Sequence, residues 1–322
     1  MGASFLSLVP PGTGGVRDYA SVIGESFQAP PLEMTRATDI SMLSGDCLLL
    51  HFSGYGYHKR GVPLWLVEHV RRLRTRFQAI GVVFHELYAS SPPWGSAFWL
   101  GAWQKRIARE LLDLSDFWLT NREESGRWLL ARRDAAPHRV LPVFSNVGEP
   151  ASIDAERAPH LVVFGGPGVR ANVYRWAGGE VFDCARRRGL VIHDIGPALQ
   201  DAELAQRLVQ EKAVVHGKLS AQAVSEALSG ARYGALSYPT DYASKSGVLA
   251  AYSAHGLCPI LLWNDYRPHD GLLAHVNYVP GFAALEHADA RSIGREARQW
   301  YEPHCVDAHV AALRSMRSEA RR

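Results

Sequence analysis

The chain has 322 residues, of which 47% are hydrophobic and 21% are charged, and its formal net charge is +3. These values exclude collagen-like, low-complexity and largely disordered proteins, and the near-balance of charge argues against a dedicated nucleic-acid-binding protein, which carries a basic excess. Because a single hydrophobic core stops growing at roughly 250–300 residues, the length favours two domains.

The sequence carries no clear sign of export or of membrane insertion. No apolar run approaches the roughly 18 residues that span a bilayer, and the first residues lack the basic region of a signal peptide. The cysteines Cys47, Cys184, Cys258 and Cys305 are far apart and form no C-x-x-C pair of a zinc or redox site. We therefore expect a cytoplasmic protein in a reducing compartment, and we expect any membrane contact to be peripheral.

Continuous apolar runs alternate with amphipathic segments in the first 150 residues. The runs predict strands and the amphipathic segments predict helices. The predicted strands are Phe5–Val9, Asp46–Phe52, Ala79–Phe84, Phe117–Thr120 and Val140–Phe144, and the predicted helices are Leu64–Phe77, Phe98–Leu114 and Glu123–Arg132. Continuously apolar strands joined by helices indicate a parallel sheet that is buried on both faces.

A polar segment with two prolines, Gly148–Pro159, interrupts this alternation and predicts a linker. The alternation then restarts. The predicted strands are Leu161–Phe164, Leu190–Ile195, Val214–His216, Tyr233–Tyr238 and Cys258–Leu262, and the predicted helices are Val173–Arg188, Asp201–Gln210, Ala221–Leu228, Gly247–His255 and Asp307–Arg321. The whole pattern predicts an α/β protein of two doubly wound parallel-sheet domains, residues 1–150 and 151–322, that face each other across a cleft. The last helix is a candidate to pack back on the first domain.

Ligands of open α/β sheets bind outside the carboxyl ends of the strands, so the loops that follow the strands are the candidate sites. The first such loop, Gly12–Tyr19, contains the adjacent glycines Gly14 and Gly15 and the carboxylate of Asp18. Adjacent glycines let a backbone approach a ligand closely, and the helix that follows points N–H groups at it. The loop does not match G-x-G-x-x-G, and a plain tight turn explains it equally well.

Two further loops of the first half carry polar and aromatic residues. The segment His51–Gly61 contains Tyr55 and Tyr57, whose flat apolar faces and hydroxyl groups suit a sugar or a lipid phosphate. His85 and Glu86 follow the strand AIGVVF, where either side chain could act as a general base or bind a sugar hydroxyl. The alternatives are a structured crossing loop and a surface pair, and the absence of H-E-x-x-H excludes a metalloprotease motif.

Two loops of the second half are candidates for anion binding. In the segment Gly165–Arg170, glycine N–H groups and the Arg170 guanidinium would suit a diphosphate, although no P-loop motif is present. Before the predicted helix Gly247–His255, Ser246 is a suitable N-cap and Lys245 lies beside the helix N–H groups. We favour phosphate binding over an ordinary capped helix, because both loops follow strands of one sheet.

Two basic amphipathic segments, Arg71–Arg76 and Trp103–Arg109, lie in the first half of the chain. Such segments are usually solvated faces of helices. They could instead hold the protein on an anionic membrane leaflet.

Several of these segments resemble segments of a known family and occur along the chain in the same order as in that family. They are GGVRDY, HFSGYGYHKRGVP, VFHELY, SDFWLTNREESGRWL, VFSNVGEP, HGKLSAQAVSEALSGARYGALSYP and SKSGVLAAYSAHGLCPILL, and they cover roughly residues 5–265. On these segments the chain resembles a GT-B glycosyltransferase of the group-1, family 4-like type found in bacterial polysaccharide pathways.

The resemblance implies two Rossmann-like domains, the first for the acceptor and the second for a nucleotide-diphosphate sugar. It implies no metal and no cofactor besides the sugar nucleotide, and the acceptor would be a glycan or a lipid-linked saccharide. By analogy, Gly14 and Gly15 approach the donor phosphate or the acceptor, His85 contacts the sugar, and the diphosphate is held by Arg170, Lys245 and the N–H groups of Ser246 and Gly247.

The expected reaction is sugar transfer to a hydroxyl group, with Glu86, His85 or Asp18 as the base if the reaction inverts. The family usually carries two glutamates in an E-x7-E pair, whereas this chain has no acidic residue between Asp241 and Asp265, and the second glutamate would fall near Ala251. Two alternatives therefore stay open, a GT-B-fold nucleotide-sugar epimerase and a degenerate, non-catalytic binding module.

Overall fold

The computed structural model describes residues 5–89, 96–153 and 156–321. It divides into two compact units, Met1–Pro142 with Val306–Arg322, and Val143–Cys305. The division thus falls at residue 142 and not at residue 150, because residues 143–150 pack within the second unit. There the Val143 N–H donates to the Ser244 carbonyl at 2.9 Å, and the Ser145 N–H donates to the Tyr301 hydroxyl at 2.8 Å.

Each unit is built on one six-stranded sheet in which all paired neighbours are parallel. The strands are β1 (Phe5–Val9), β2 (Leu32–Glu33), β3 (Gly45–Ser53), β4 (Phe77–Glu86), β5 (Phe117–Thr120), β6 (His138–Val140), β7 (Ala158–Phe164), β8 (Val191–Ile195), β9 (Val214–Gly217), β10 (Ala231–Ser237), β11 (Cys258–Leu262) and β12 (Val279–Pro280). The first sheet has the order β2-β1-β3-β4-β5-β6 and the second β12-β11-β10-β7-β8-β9.

Helices connect most successive strands in both units, as parallel neighbours require, whereas the connections from β2 to β3 and from β11 to β12, which lie within the described residues, contain no helix. They are α1 (Gly15–Phe27), α2 (Gly54–Tyr57), α3 (Leu64–Leu73), α4 (Ser96–Leu114), α5 (Glu123–Leu130), α6 (Pro167–Arg175), α7 (Glu180–Arg188), α8 (Ala202–Gln210), α9 (Ala221–Gly230), α10 (Gly247–Ala254), α11 (Ala290–Tyr301) and α12 (Val306–Glu319). Within the described ranges, no helix combines the length and the apolar composition needed to cross a membrane.

The second sheet is buried on both faces, as its continuous apolar strands predict. Successive residues of a strand point to opposite faces. In β7, Leu161 and Val163 therefore pack into one apolar cluster with α6 and α7, whereas Val162 packs into another with α9 and α10. This arrangement leaves the strand ends, and the loops that follow them, as the accessible parts of the sheet.

Several predicted elements differ from the structure. The helix predicted at Leu64–Phe77 ends at Leu73, and Phe77 already belongs to β4. The strand predicted at Val140–Phe144 lies earlier, at β6, where His138 pairs with Trp118 of β5. The helix predicted at Val173–Arg188 is two helices, α6 and α7, because Gly178 and Gly179 between them take φ values of 72° and 95° that end a right-handed helix. The last two residues of the predicted linker, Ala158 and Pro159, already belong to β7.

Candidate active site

The second sheet contains the position at which doubly wound sheets usually bind ligands. If its strands are numbered one to six in chain order, their order across the sheet is 6-5-4-1-2-3, so that the first strand, β7, lies beside the fourth, β10. The connections from β7 and β10 leave in opposite directions along the sheet. The carboxyl ends of these two strands form the topological switch point, which is the usual ligand site of a doubly wound sheet.

The glycine loop after β7 is open on one side and packed on the other. Gly165 has a φ of +125°, which favours glycine, and its N–H donates to the Ile195 carbonyl at 3.1 Å. A Cβ atom built on Gly166 or Gly168 would meet nothing within 4 Å. A Cβ on Gly165 would lie 3.2 Å from the Cγ2 of Val248, in the first turn of α10. The first turns of α6 and α10 are therefore close together at the switch point.

The turn before α10 has the features of an anion site. The Ser246 Oγ caps the helix by accepting the Leu249 N–H at 3.2 Å. A Cβ on Gly247 would meet only the Asn146 Oδ1, at 3.8 Å, so the backbone is open here. Lys245 is half-buried, and its ammonium lies 5.5 Å from the centre of the Tyr242 ring. A helix N-terminus with an adjacent ammonium favours a bound phosphate or carboxylate.

Arg170 does not take part in this arrangement, and its predicted contact with a diphosphate is wrong. Its side chain is fully buried and forms an ion pair with the buried Asp194. The Arg170 Nε donates to the Gly165 carbonyl at 3.0 Å, and an Nη donates to the Pro197 carbonyl. The guanidinium therefore fixes the glycine loop from the inside and presents no accessible edge to a ligand.

The position at which the second glutamate of the absent pair would fall is a buried, apolar one in this structure. Ala251, near which the second glutamate would fall, has 0% of its surface exposed and belongs to the apolar cluster beneath the helix. A carboxylate does lie beside the preceding turn, because the Ser244 Oγ donates to the Asp270 Oδ2 at 2.5 Å. That carboxylate comes from the connection between β11 and β12, which lies further along the chain than Ala251.

The first sheet has its own switch point, between β1 and β3. The loop after β1 carries Gly14, whose carbonyl accepts the Asp18 N–H at 3.0 Å at the start of α1. Cβ atoms on Gly14 and Gly15 would meet nothing within 4 Å. The loop after β3 lies against it, since a Cβ on Gly56 would come within 2.8 Å of Pro10. The predicted close approach to a ligand at Gly14 and Gly15 remains a prediction, and the backbone there is open enough for it.

His85 belongs to a buried cluster of rings at the carboxyl end of this sheet. Its Nε2 lies 3.2 Å from the His51 Nδ1, and its ring packs edge-on against Tyr19 with centroids 4.9 Å apart. His309 of α12 closes the cluster. Because its Nε2 must donate to the Pro142 carbonyl at 2.9 Å, its Nδ1 accepts the Tyr19 hydroxyl at 2.7 Å.

Burial favours the neutral forms of His51, His309 and Tyr19. Removal of water lowers the pKa of His51 to about 3 and that of His309 to about 4, and it raises the pKa of the Tyr19 hydroxyl. His85 is 8% exposed, so little of its ring is open to a ligand. The cluster joins α1 and α12 to the ends of β3 and β4, which gives it a structural role whatever else His85 does.

Two carboxylates near this cluster are accessible. Glu86, the last residue of β4, is exposed, and one of its oxygens accepts the Ser53 hydroxyl at 2.9 Å. Asp18 is exposed in the first turn of α1. An exposed carboxylate at the carboxyl edge of a sheet can accept a proton from a hydroxyl group of a bound molecule.

The two tyrosines of the loop after β3 have different environments. Tyr55 is 43% exposed, and its hydroxyl accepts the Gln104 amide at 3.2 Å. Tyr57 is buried, and its hydroxyl donates to the His51 carbonyl at 3.2 Å. Tyr55 is thus available for the predicted contact with an acceptor, whereas the prediction for Tyr57 is wrong because its ring and its hydroxyl are used inside the unit.

Comparisons with known proteins agree with this topology. No protein-family profile and no curated protein sequence match the chain, but solved structures do. HepE of Anabaena, in complex with UDP and glucose, is 12% identical, with a TM-score of 0.58 over 97% of this chain and 99% of that one. The lipopolysaccharide outer core galactosyltransferase WaaB is 14% identical, with a TM-score of 0.55 over 98% of both chains. The chain has the GT-B fold.

A third structure of this fold is longer. The pneumococcal O-GlcNAc transferase GtfA, in complex with UDP and GlcNAc, is 12% identical, with a TM-score of 0.57. The match covers 85% of this chain and 57% of GtfA, so this chain spans little more than half of that protein. The predicted fold class is confirmed: the GT-B fold consists of two Rossmann-like parallel sheets flanked by helices.

Two residues that position the loops of this GT-B protein, Asp194 and Gln104, are not among the residues predicted from the sequence. Asp194, the partner of Arg170, lies in the apolar strand VIHDI, where a lone acidic residue indicates a buried partner. Gln104 is 2% exposed and joins two loops, because its amide nitrogen donates to the Tyr55 hydroxyl and its oxygen accepts the Ala89 N–H at 2.9 Å. For Gln104 the sequence carried no signal, because it lies in a helix that is otherwise amphipathic.

Proposed function

We propose that this protein transfers a sugar from a nucleotide-diphosphate sugar to a hydroxyl group of a glycan or a lipid-linked acceptor. The observation that supports it is the pair of helix starts at the switch point of the second sheet, with an open glycine loop and Lys245 beside them. The neighbours HepE and GtfA, whose structures hold UDP, have the same fold.

The proposed donor site would act on the leaving group. As the bond between the sugar and the diphosphate breaks, negative charge grows on the diphosphate oxygens. The N–H groups of the first turns of α6 and α10 and the ammonium of Lys245 are fixed before the reaction, so they stabilise this charge without reorganisation. Independence of a metal stays a prediction.

The proposed acceptor site lies at the switch point of the first sheet. Tyr55 offers a ring face and a hydroxyl to a sugar, and the open backbone at Gly14 and Gly15 leaves room for one. If the reaction inverts, an exposed carboxylate, Glu86 or Asp18, would remove the proton of the acceptor hydroxyl more readily than the enclosed His85.

Nucleotide sugars are expected to stabilise the protein against heat. A ligand that binds only the folded state raises the free energy of unfolding by about 2.7 kcal/mol at a concentration one hundred times its Kd. Thermal unfolding in the presence of UDP-, GDP- and dTDP-sugars would measure this and identify the nucleotide. The matching nucleosides, which lack the diphosphate, are the control and are expected to stabilise much less.

Product analysis by mass spectrometry then separates the remaining functions. A saccharide product from a stabilising donor and a lipid-linked acceptor supports the transferase. Consumption of the donor without an acceptor would indicate the epimerase instead. A protein that none of the nucleotide sugars stabilises would contradict the proposal and favour the non-catalytic module.

A membrane-bound acceptor would suit one face of α4. Trp99 is 72% exposed and Trp103 is 46% exposed, and their spacing of four residues puts both on one face of the helix. Lys105, Arg106 and Arg109 are exposed nearby. We propose that this face contacts anionic lipid, since tryptophan and basic side chains together favour the membrane interface.

Sedimentation with lipid vesicles tests this contact. The protein is expected to bind vesicles that contain phosphatidylglycerol and not vesicles of phosphatidylcholine alone, and the double variant W99A/W103A is expected to lose most of the binding. The control is Val209→Ala on α8, which removes another apolar side chain that is 72% exposed. Equal binding by the double variant and the original protein would exclude this face.

A further inference from the structure

A second concave site lies at the opposite end of the second sheet from the glycine loop. It is a cavity of about 590 Å³ at the end where the strands begin. Arg157 precedes β7, Arg232 and Tyr233 lie near the start of β10, and Gly256 lies just before β11. The first two turns of α11 form its other wall and contribute Arg291 and Arg295, with Asp289 at the helix start.

The lining is rich in arginine. It contains the guanidinium groups of Arg157, Arg232, Arg291 and Arg295 against two carboxylates, Glu156 and Asp289. The difference of four and two gives an excess of two positive charges among the described lining residues. Like charges held together repel one another, so a cavity of this kind gains stability from a bound anion.

The four arginines fall into two pairs with different roles. Arg157 and Arg232 are half-buried and hold backbone groups: Arg157 donates to the Ala231 carbonyl at 2.8 Å, and Arg232 donates to the Arg157 carbonyl at 3.0 Å. Burial lowers the pKa of Arg157, which reflects the cost of removing water from its charge. These two residues give the cavity a fixed, positively charged floor.

Arg291 and Arg295 are exposed at the rim of the cavity. Neither side chain makes a hydrogen bond or an ion pair with any residue in the described ranges. They are four residues apart on α11, so they point the same way. The Asp289 carboxylate is occupied in part, because its Oδ1 accepts the N–H groups of Arg291 and Ser292 at 3.0 and 3.2 Å. The free guanidinium edges are therefore the groups available to a ligand.

We propose that this cavity binds a small anion that carries at least two phosphate or carboxylate groups, at a site separate from the proposed sugar-nucleotide site. The volume falls within the range of about 300–1,000 Å³ found for small-molecule sites. The planar guanidinium matches the oxygens of phosphate and carboxylate groups in pairs, which favours such anions over a single chloride ion. The ligand needs two anionic groups because one pair of arginines lies at the start of the strands and the other pair lies on α11.

Calorimetric titration with inorganic pyrophosphate and with citrate tests the proposal. At least one probe is expected to bind the original protein, and R291Q/R295Q is expected to weaken that binding by about tenfold or more, because charge-assisted hydrogen bonds are the strong ones. The matched control is R187Q/R188Q, which removes two exposed arginines from α7. Binding by pyrophosphate alone or citrate alone identifies the anionic group that the site prefers.

A second variant separates this site from the proposed donor site, to which pyrophosphate could also bind. Lys245→Ala is expected to bind the probe as the original protein does at the site that R291Q/R295Q weakens. The proposal is overturned if neither probe binds, if R291Q/R295Q binds like the original protein, or if Lys245→Ala alone removes the binding. Equal melting temperatures of R291Q/R295Q and the original protein without ligand would show that the fold is intact, as expected for exposed side chains that make no hydrogen bond or ion pair with the described residues.

Discussion

Replacement of Lys245 by alanine is expected to lower turnover with a nucleotide-sugar donor by about a hundredfold or more, as is usual when one fixed donor to a developing charge is removed. The melting temperature is expected to stay nearly unchanged, because Lys245 lies half-buried in the turn before α10 and not in the apolar cluster below it. Initial rates at saturating donor, with thermal unfolding of the same preparations, measure both quantities.

Two controls sharpen this experiment. Lys245→Arg keeps the positive charge and is expected to retain more activity than Lys245→Ala. Arg187→Ala removes an exposed charge from α7 and is expected to leave turnover unchanged. Near-normal turnover of Lys245→Ala would remove this residue from the proposed site. A large fall in its melting temperature would instead show that the ammonium supports the fold.

Replacement of Arg170 by alanine is expected to lower the free energy of unfolding by about 3–5 kcal/mol, which is the usual cost of breaking a buried ion pair. The reason is that, of its partners among the described residues, the buried Asp194 carboxylate would keep only the Tyr174 hydroxyl, which donates to it at 2.6 Å. Domains are commonly stable by about 5–15 kcal/mol, so much of the margin would be lost. Denaturant titration monitored by tryptophan fluorescence gives the difference.

Arg175→Ala is the matched control, because Arg175 belongs to the same helix but is exposed and pairs with Asp201 at the surface. Its stability is expected to change little, since exposed ion pairs contribute little. Arg170→Lys, which retains a charge, is a milder variant for the case that Arg170→Ala does not fold. If Arg170→Ala kept full stability and lost nucleotide binding, the original assignment of Arg170 to the diphosphate would be restored.

The fold could be predicted because its signals are local. DCLLLHF and AIGVVF are strands because an uninterrupted apolar run can be buried only between two layers of helix. The loops after the strands could be singled out for the same reason, since parallel strands put their carboxyl ends at one edge. The turn containing Ser246 is another local signal, and its N-cap is where the sequence placed it.

The direction of individual side chains could not be predicted, because it depends on residues distant in sequence. An arginine that follows a glycine loop could point outward or inward. Arg170 points inward because it forms an ion pair with Asp194 on the neighbouring strand, β8. The same holds for Tyr57, whose hydroxyl meets a carbonyl of β3. His309 contacts Tyr19 across 290 positions of sequence, and no local pattern carries that information.

The position of α12 has a consequence for synthesis of the chain. His309, Val310, Leu313 and Met316 are buried in the first unit, whose other residues end at Pro142. The interior of that unit is therefore assembled from two separated stretches of polypeptide, with all of the second unit encoded between them. Because a ribosome synthesises residues 143–305 before α12, the interior of the first unit can be completed only after the whole of the second unit has been synthesised.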